Sequence, residues 1–266
     1  MISHLNKFHI NFIILIFLLI AAGCSKEENN PLTPPDDSDK YFWIYYNNDS
    51  TKVEFKNLPK FNADGEEAIQ LNYFIDTSLI HPYIDKNGIS HDTRKLYSYQ
   101  IVGDDGFSAS GSRGYPNNIW DHFFLGNVIT STRQVIFPDN KIDLPNAYNV
   151  KFARRIFIHR KFDLDFTDSS RFVELREIST VQVINPQGLQ EQAIPLKNIV
   201  MSIVTNPETY NYNLLSVDNF GPTSDMTWNQ FQTGYWLLES QVTMFTDTTL
   251  VGGRYKLKVL EKILVR

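Results

Sequence analysis

Tyr97-Ser98-Tyr99-Gln100-Ile101-Val102, followed by Asp105-Gly106-Phe107, is answered further along the chain by Tyr210-Asn211-Tyr212-Asn213-Leu214-Leu215, followed by Asp218-Asn219-Phe220. The offset is 113 throughout. Trp120, Phe123 and Gly126 then match Trp228, Phe231 and Gly234 at an offset of 108, and Gln134-Val135, Tyr148, Lys151 and Ile156 match Gln241-Val242, Tyr255, Lys258 and Ile263 at 107. Upstream, Ala68-Ile69-Gln70-Leu71 pairs with Ala193-Ile194-Pro195-Leu196, the wider spacing being absorbed by an insertion over 85–93 in the first copy. Self-similarity in a fixed order is the mark of a repeated supersecondary unit. It predicts an α+β fold made of two tandem β-rich repeats of about 95–110 residues, with mixed strands and short helices, over 41–165 and 166–266.

Each copy has a readable outline. Tyr97, Tyr99 and Ile101, like Tyr210, Tyr212 and Leu214, alternate with polar residues, the pattern of a strand with one buried face. Gly106 and Asn219 are residue types that tolerate positive φ, so both copies are expected to turn tightly before Phe107 or Phe220. Trp-x-x-Phe-x-x-Gly suits one face of a short helix stopped by glycine. A strand over 52–58 and another over 172–184 are expected to open the copies, each followed by a short helix, at 67–75 and at 193–203. Trp120 and Trp228 hold matching positions and read as core residues. Trp43 and Trp236 have no counterpart and stand as the candidates for ligand contact.

The first 24 residues set the address. Lys7 precedes an unbroken apolar run over 12–20, and Ala21-Ala22-Gly23-Cys24 supplies small residues before the only cysteine in the chain. Nine apolar residues fall well short of the roughly 20 that cross a bilayer as a helix. Ile20-Ala21-Ala22-Gly23-Cys24 resembles the lipobox of bacterial lipoproteins, which implies cleavage after residue 23 and acylation of Cys24 by palmitate-like chains. Several such chains, at about 0.8 kcal/mol per buried methylene, make a stable anchor. Residues 24–40 carry three prolines, many charges and no aromatic, so they read as a disordered tether. Ser25 beside the cysteine resembles lipoproteins sent to an outer membrane, and Ser25-Lys26-Glu27-Glu28 resembles the short acidic tags of surface-exported ones. The expected location is therefore the outer membrane, lipid-anchored, facing the periplasm or the cell surface.

Loss of residues 1–23 leaves 24 basic against 30 acidic residues, an acidic balance that argues against nucleic acid as a partner. With Cys24 acylated, no thiol remains for a disulfide, a zinc site or a nucleophile. His81, Asp85, His91 and Asp92 are the only cluster of metal-ligand types. They surround Asn87-Gly88, a hairpin-turn signal, and lack the later acidic residue that a calcium loop requires. No metal and no cofactor is therefore assigned. No Gly-x-Ser-x-Gly elbow occurs; a glycosidase needs two carboxylates facing across a cleft, which spacing does not give, so Asp104-Asp105 and Asp163-x-Asp165 are expected in turn and surface roles.

The order Ala-Ile-x-Leu, Tyr-x-Tyr, Asp105-Gly106-Phe107-Ser108, Trp120-x-x-Phe123, then Tyr148-Asn149-Val150-Lys151 leading to Ile156 resembles the molybdopterin-binding domain of the sulfite-oxidase type. That family ligates its metal through a cysteine, and neither copy has one, so the resemblance implies a scaffold and not the redox activity. The expectation is a non-catalytic binding or structural lipoprotein whose partners are the lipid bilayer and an envelope protein or glycan. The alternative is a degenerate molybdopterin-type oxidoreductase or a carboxylate-dependent hydrolase.

Overall fold

The structure is a computed structural model and describes residues 40–46, 49–75, 80–139, 142–250 and 252–266. The signal segment, Cys24 and nearly all of the expected tether lie outside them. In chain order the first ten strands are β1 (Tyr41–Tyr46), β2 (Asp49–Glu54), β3 (Phe61–Ala63), β4 (Glu66–Gln70), β5 (Tyr83–Ile84), β6 (Ser90–His91), β7 (Tyr97–Gly103), β8 (Asn118–Ile119), β9 (Asn127–Ile129) and β10 (Gln134–Ile136). A long strand, β11 (Ala153–Asp165), follows. After it come β12 (Ser170–Glu174), β13 (Val181–Ile184), β14 (Gln190–Pro195), β15 (Asn211–Ser216), β16 (Met226–Thr227), β17 (Gly234–Leu237), β18 (Thr243–Phe245) and β19 (Leu260–Val265). Helices are short: α1 (Ala109–Arg113), α2 (Trp120–Leu125), α3 (Leu196–Met201) and α4 (Trp228–Phe231). None of the described helices is long and apolar enough to cross a membrane. The chain is thus β-rich with a few short helices, which is the coarse class that the alternating patterns predict.

The architecture turns on β11. At about 3.3 Å per residue its 13 residues extend for about 43 Å. Beyond an irregularity between Ala153 and Arg155, Ile156 and Ile158 enter one hydrophobic core while Phe162 and Leu164, on the same parity, enter a second. The N-terminal half of β11 pairs in parallel with β1 and antiparallel with β7, and its C-terminal half pairs antiparallel with β12 and in parallel with β19. Over the first core lies the sheet β10-β9-β4-β3, and over the second the sheet β18-β17-β14-β13. Burial of Phe42, Ile44, Ile69 and Phe123 at one end, and of Phe162, Ile194, Phe231 and Ile263 at the other, is complete. Each such side chain contributes about 1.5–3 kcal/mol.

Local geometry recurs in the two halves. Tyr99 stacks on Phe123 with centroids 4.5 Å apart and lies 6.0 Å from Trp120; Tyr212 stacks on Phe231 at 4.5 Å and lies 5.5 Å from Trp228. Both hydroxyls donate to a carbonyl five residues upstream, of Arg94 and of Pro207. Gly106 (φ 82°) and Asn219 (φ 60°) occupy the left-handed region in the expected turns, where Asp105 and Asp218 accept from the amides of Phe107 and Phe220. Phe152 takes positive φ, and so does Val259 at the matching position; Arg133 and Gln241 do likewise, although Gln241 lies 108 residues on, one place off the Gln134–Gln241 match. Gly126 lies against Phe137 and Leu71, and Gly234 against Phe245 and Leu196, each with no room for a Cβ.

Several local expectations are corrected. The helix expected over 67–75 is instead β4 running into a 3-10 turn at Leu71–Phe74, and that over 193–203 begins only after Pro195, as α3. Ala68, Ile69, Ala193 and Ile194 are wholly buried and sit on strands paired on both sides, so tertiary pairing overrides their helical pattern. The stretch 172–184 is two strands broken by a 3-10 turn at Leu175–Glu177. β7 is buried on both faces, Ser98 included. Trp120 and Trp228 pack against the two cores from their rims and are only half-buried.

Candidate functional site

Cys24 lies outside the described residues. Trp43 stands on the face of β1 opposite the buried Phe42 and Ile44, half-exposed, with Tyr41 edge-on at 6.3 Å. Tyr45 on the same face stacks on Phe157 at 4.7 Å, and Phe157 is parallel to His159. Trp43 is therefore part of an aromatic row along β1 and β11. Trp236 is corrected. It is 2 % exposed, makes a T-shaped contact with Phe162 at 5.1 Å and belongs to the second core, so it presents no ring face to a ligand. Its position on β17, paired with both β14 and β18, puts it inside; absence of a counterpart in the first copy did not mean exposure.

The insertion folds as the hairpin β5–β6 with Gly88 at φ 78°. Asp85 Oδ1 accepts from the amides of Asn87 and Ile89, while Oδ2 lies 3.2 Å from His91 Nε2. These bonds, the Ile89 amide first, hold the Asp85 carboxyl below its ordinary range despite desolvation. Asp92 turns away to form a two-point pair with Arg94, and the His81 carbonyl accepts from Thr93. Asp85 and His91 come together and the other two do not. Among the described residues no group of three or more His, Cys, Asp or Glu side chains converges.

A cluster of charge lies at the seam where the two cores meet along β11. A cleft of about 420 Å³ is lined by Lys95, Trp120, Asp121, His122, Lys161, Asp163, Asp165, Phe172, Glu261 and Lys262, among others. Three of its cations face three of its anions, and Asp121 and Arg171 line it besides. Lys161 pairs with Asp163, Lys262 with Asp165 at 3.1 Å and Lys95 with Glu261 at 2.7 Å. Burial pulls the Lys161 ammonium below its usual value, with Asp163 opposing, whereas at Lys262 the desolvation effect is outweighed by Asp165 and the net shift is upward. Burial also lowers His122, opposed by Asp121.

Beside the cleft, Glu174 is 3 % exposed and accepts from Ser98 Oγ at 2.5 Å, Asn117 Nδ2 at 2.7 Å and Arg176 Nε at 2.7 Å. Under the seam, Arg160 donates to the carbonyls of Leu96, Lys161 and Leu260, and its guanidinium lies 4.7 Å from the Phe162 ring centroid and 5.4 Å from that of Trp236. Desolvation pulls its pKa down to about 10, which leaves it cationic at neutral pH. Burial and the nearby Arg176 push His159 down, with Glu174 opposing, and its buried Nε2 has no hydrogen-bond partner.

Sequence reading singled out Asp163 and Asp165 as paired acids and missed the rest of the seam. Its members come from positions 95, 117–122, 160–174 and 260–262, with no linear motif between them. The one available signal was the charged run on alternate residues of β11. As acids, Asp163 and Asp165 each face a lysine rather than one another. No family of proteins, no curated protein and no solved structure matches this chain.

Proposed function

We propose that the chain is a lipid-anchored envelope protein, acylated at Cys24 and held at the outer membrane, whose β-rich body binds a protein or glycan partner without transforming it. The observation that carries the non-catalytic reading is the pairing of the seam's lysines with its carboxylates. Lys161, Lys262, Lys95 and Arg176 each contact a carboxylate, an arrangement that holds a surface in register and leaves none of these acids aimed at a substrate as a lone proton donor. Trp43, with Tyr45 and Phe157, is the contact candidate.

The body is proposed to be a duplicated α+β unit. Support comes from the matched ring triads, the shared positive-φ positions and the equal strand order of β10-β9-β4-β3 and β18-β17-β14-β13. Tyr41 opposite Glu54 in β1–β2 is matched by Lys161 opposite Glu174 in β11–β12. This argues for a boundary between Arg160 and Lys161, inside β11, and not after Asp165. On this reading one strand closes the first unit and opens the second.

The anchor is tested by metabolic labelling with an alkyne palmitate: label on the full chain that vanishes in Cys24→Ser supports it, and equal labelling of the two removes it. Binding is tested by retention of solubilised envelope polysaccharide and protein on the immobilised chain. Trp43→Ala is expected to lower retention several-fold, and unchanged retention rejects Trp43 as a contact.

A further inference from the structure

Sheet edges carry unpaired backbone groups and are normally guarded by charge, shortness or cover. Among the described residues most edges of this protein are guarded. β2 carries Asp49, Lys52 and Glu54, and β12 carries Arg171 and Glu174. β8 and β16 are two residues long. β10 and β18 are three residues long, and each receives a carbonyl from the chain beside it, Val150 to the Val135 amide and Leu257 to the Thr243 amide. β3 is three residues, flanked by Lys60 and Asp64.

β13 is the exception. Thr180-Val181-Gln182-Val183-Ile184 holds no charge, proline or glycine, and the strand pairs only with β14. Outside that pairing its residues make no backbone hydrogen bond among the described residues. Val181 is 39 % exposed, Ile184 59 %, and Leu189 across the turn 64 %.

We infer that β13 is the edge through which two copies of this chain pair antiparallel about a two-fold axis, joining their four-stranded sheets into one of eight strands. The sequence argues for a second copy as the occupant. Under a two-fold axis normal to the sheet, residues directly opposite must share a face, and the register centred on the strand's one amide side chain sets Gln182 against its own counterpart, Val181 against Val183 and Ile184 against Thr180. A carboxamide carries both donors and an acceptor and so satisfies itself across the axis. The valine pairs meet on the other face, and no like charges oppose. This is an isologous, self-complementary contact of neutral residues.

The test uses the full chain in a Cys24→Ser background, so that its outcome is independent of the anchor. Sedimentation at 1–100 μM is expected to show a concentration-dependent dimer. Gln182→Lys places two ammonium groups opposite each other at the axis and should raise the dimer dissociation constant at least ten-fold, without moving the thermal midpoint at concentrations where both proteins are monomeric; Val181→Lys is the second variant should the first be misfolded. Opposed Cα atoms at about 4.5–5.5 Å lie within disulfide reach. Gln182→Cys with copper phenanthroline as the oxidant should therefore give a disulfide dimer, and Asn62→Cys on β3 should not. A monomer across the whole range, a dimer indifferent to both lysine variants, or Gln182→Cys joining a different protein would overturn the inference.

Discussion

Replacing Arg160 with methionine tests how the two cores are held together. The guanidinium bonds to Leu96 from one half and to Leu260 from the other, besides Lys161. Each bond from a charged donor contributes about 1.5–3 kcal/mol, so the gross loss is about 5–9 kcal/mol. Methionine also relieves the cost of burying the charge. The pKa drop from 12.5 to about 10 corresponds to about 3 kcal/mol. The thioether keeps much of the contact with Phe162 and Trp236. A net loss of about 2–6 kcal/mol follows, a large part of the 5–15 kcal/mol typical of a folded domain. Urea titration followed by tryptophan fluorescence is the assay, because Trp236 lies beside the guanidinium and reports the seam directly. Arg160→Met should lower the midpoint, and loss of coupling between the cores should split the transition or reduce its slope. A variant within about 0.5 kcal/mol of the parent, with one transition of unchanged slope, would refute the assignment of Arg160 as the pin of the seam.

His159 has its pKa lowered in the folded state, so its contribution to stability is intact above the ordinary histidine value near 6.5 and is lost as pH falls through the lower folded value. The thermal midpoint should therefore drop on acidification below about pH 6.5, and His159→Phe, which preserves the stack on Phe157, should flatten that part of the profile; an unaltered slope would assign the acid sensitivity elsewhere. Glu174→Leu leaves Ser98 and Asn117 buried without their acceptor and is expected to cost about 2–4 kcal/mol in chemical denaturation; a neutral result would mean that water replaces the carboxylate. Gly234→Ala places a Cβ 2.6 Å from the Phe245 ring and 2.7 Å from Leu196, and Gly126→Ala places one 2.8 Å from Phe137 and 3.0 Å from Leu71. Each should destabilise by about 1–3 kcal/mol through overpacking, and a large disparity between the two would count against equivalent packing in the halves.

Much of the fold was legible because its signals are local. Alternation marked β7 and β15, and Asp105-Gly106 and Asp218-Asn219 marked the turns that the structure contains. Internal likeness paired Tyr99 with Tyr212 and Phe123 with Phe231, residues whose rings stack alike. Position in the sheets was not legible. Ala68-Ile69 and Ala193-Ile194 have a helical look in isolation, and only the partners on both sides hold them as strands.

The same division applies to the candidate sites. By itself the sequence determined the acidic balance, the single cysteine at Cys24 and the alternating strands β7 and β15 with their turns, because these depend on composition and on periods of a few residues. Tertiary structure alone decided that Trp236 is core while Trp43 is half-exposed on the outer face of β1, that Asp85 keeps His91 and loses Asp92 to Arg94, and that Lys95, Lys161, Glu174 and Glu261 meet at one seam. Those outcomes depend on which residues far apart in the chain are brought within a few ångströms, and the 13-residue strand β11, running through both cores, is what brings them there.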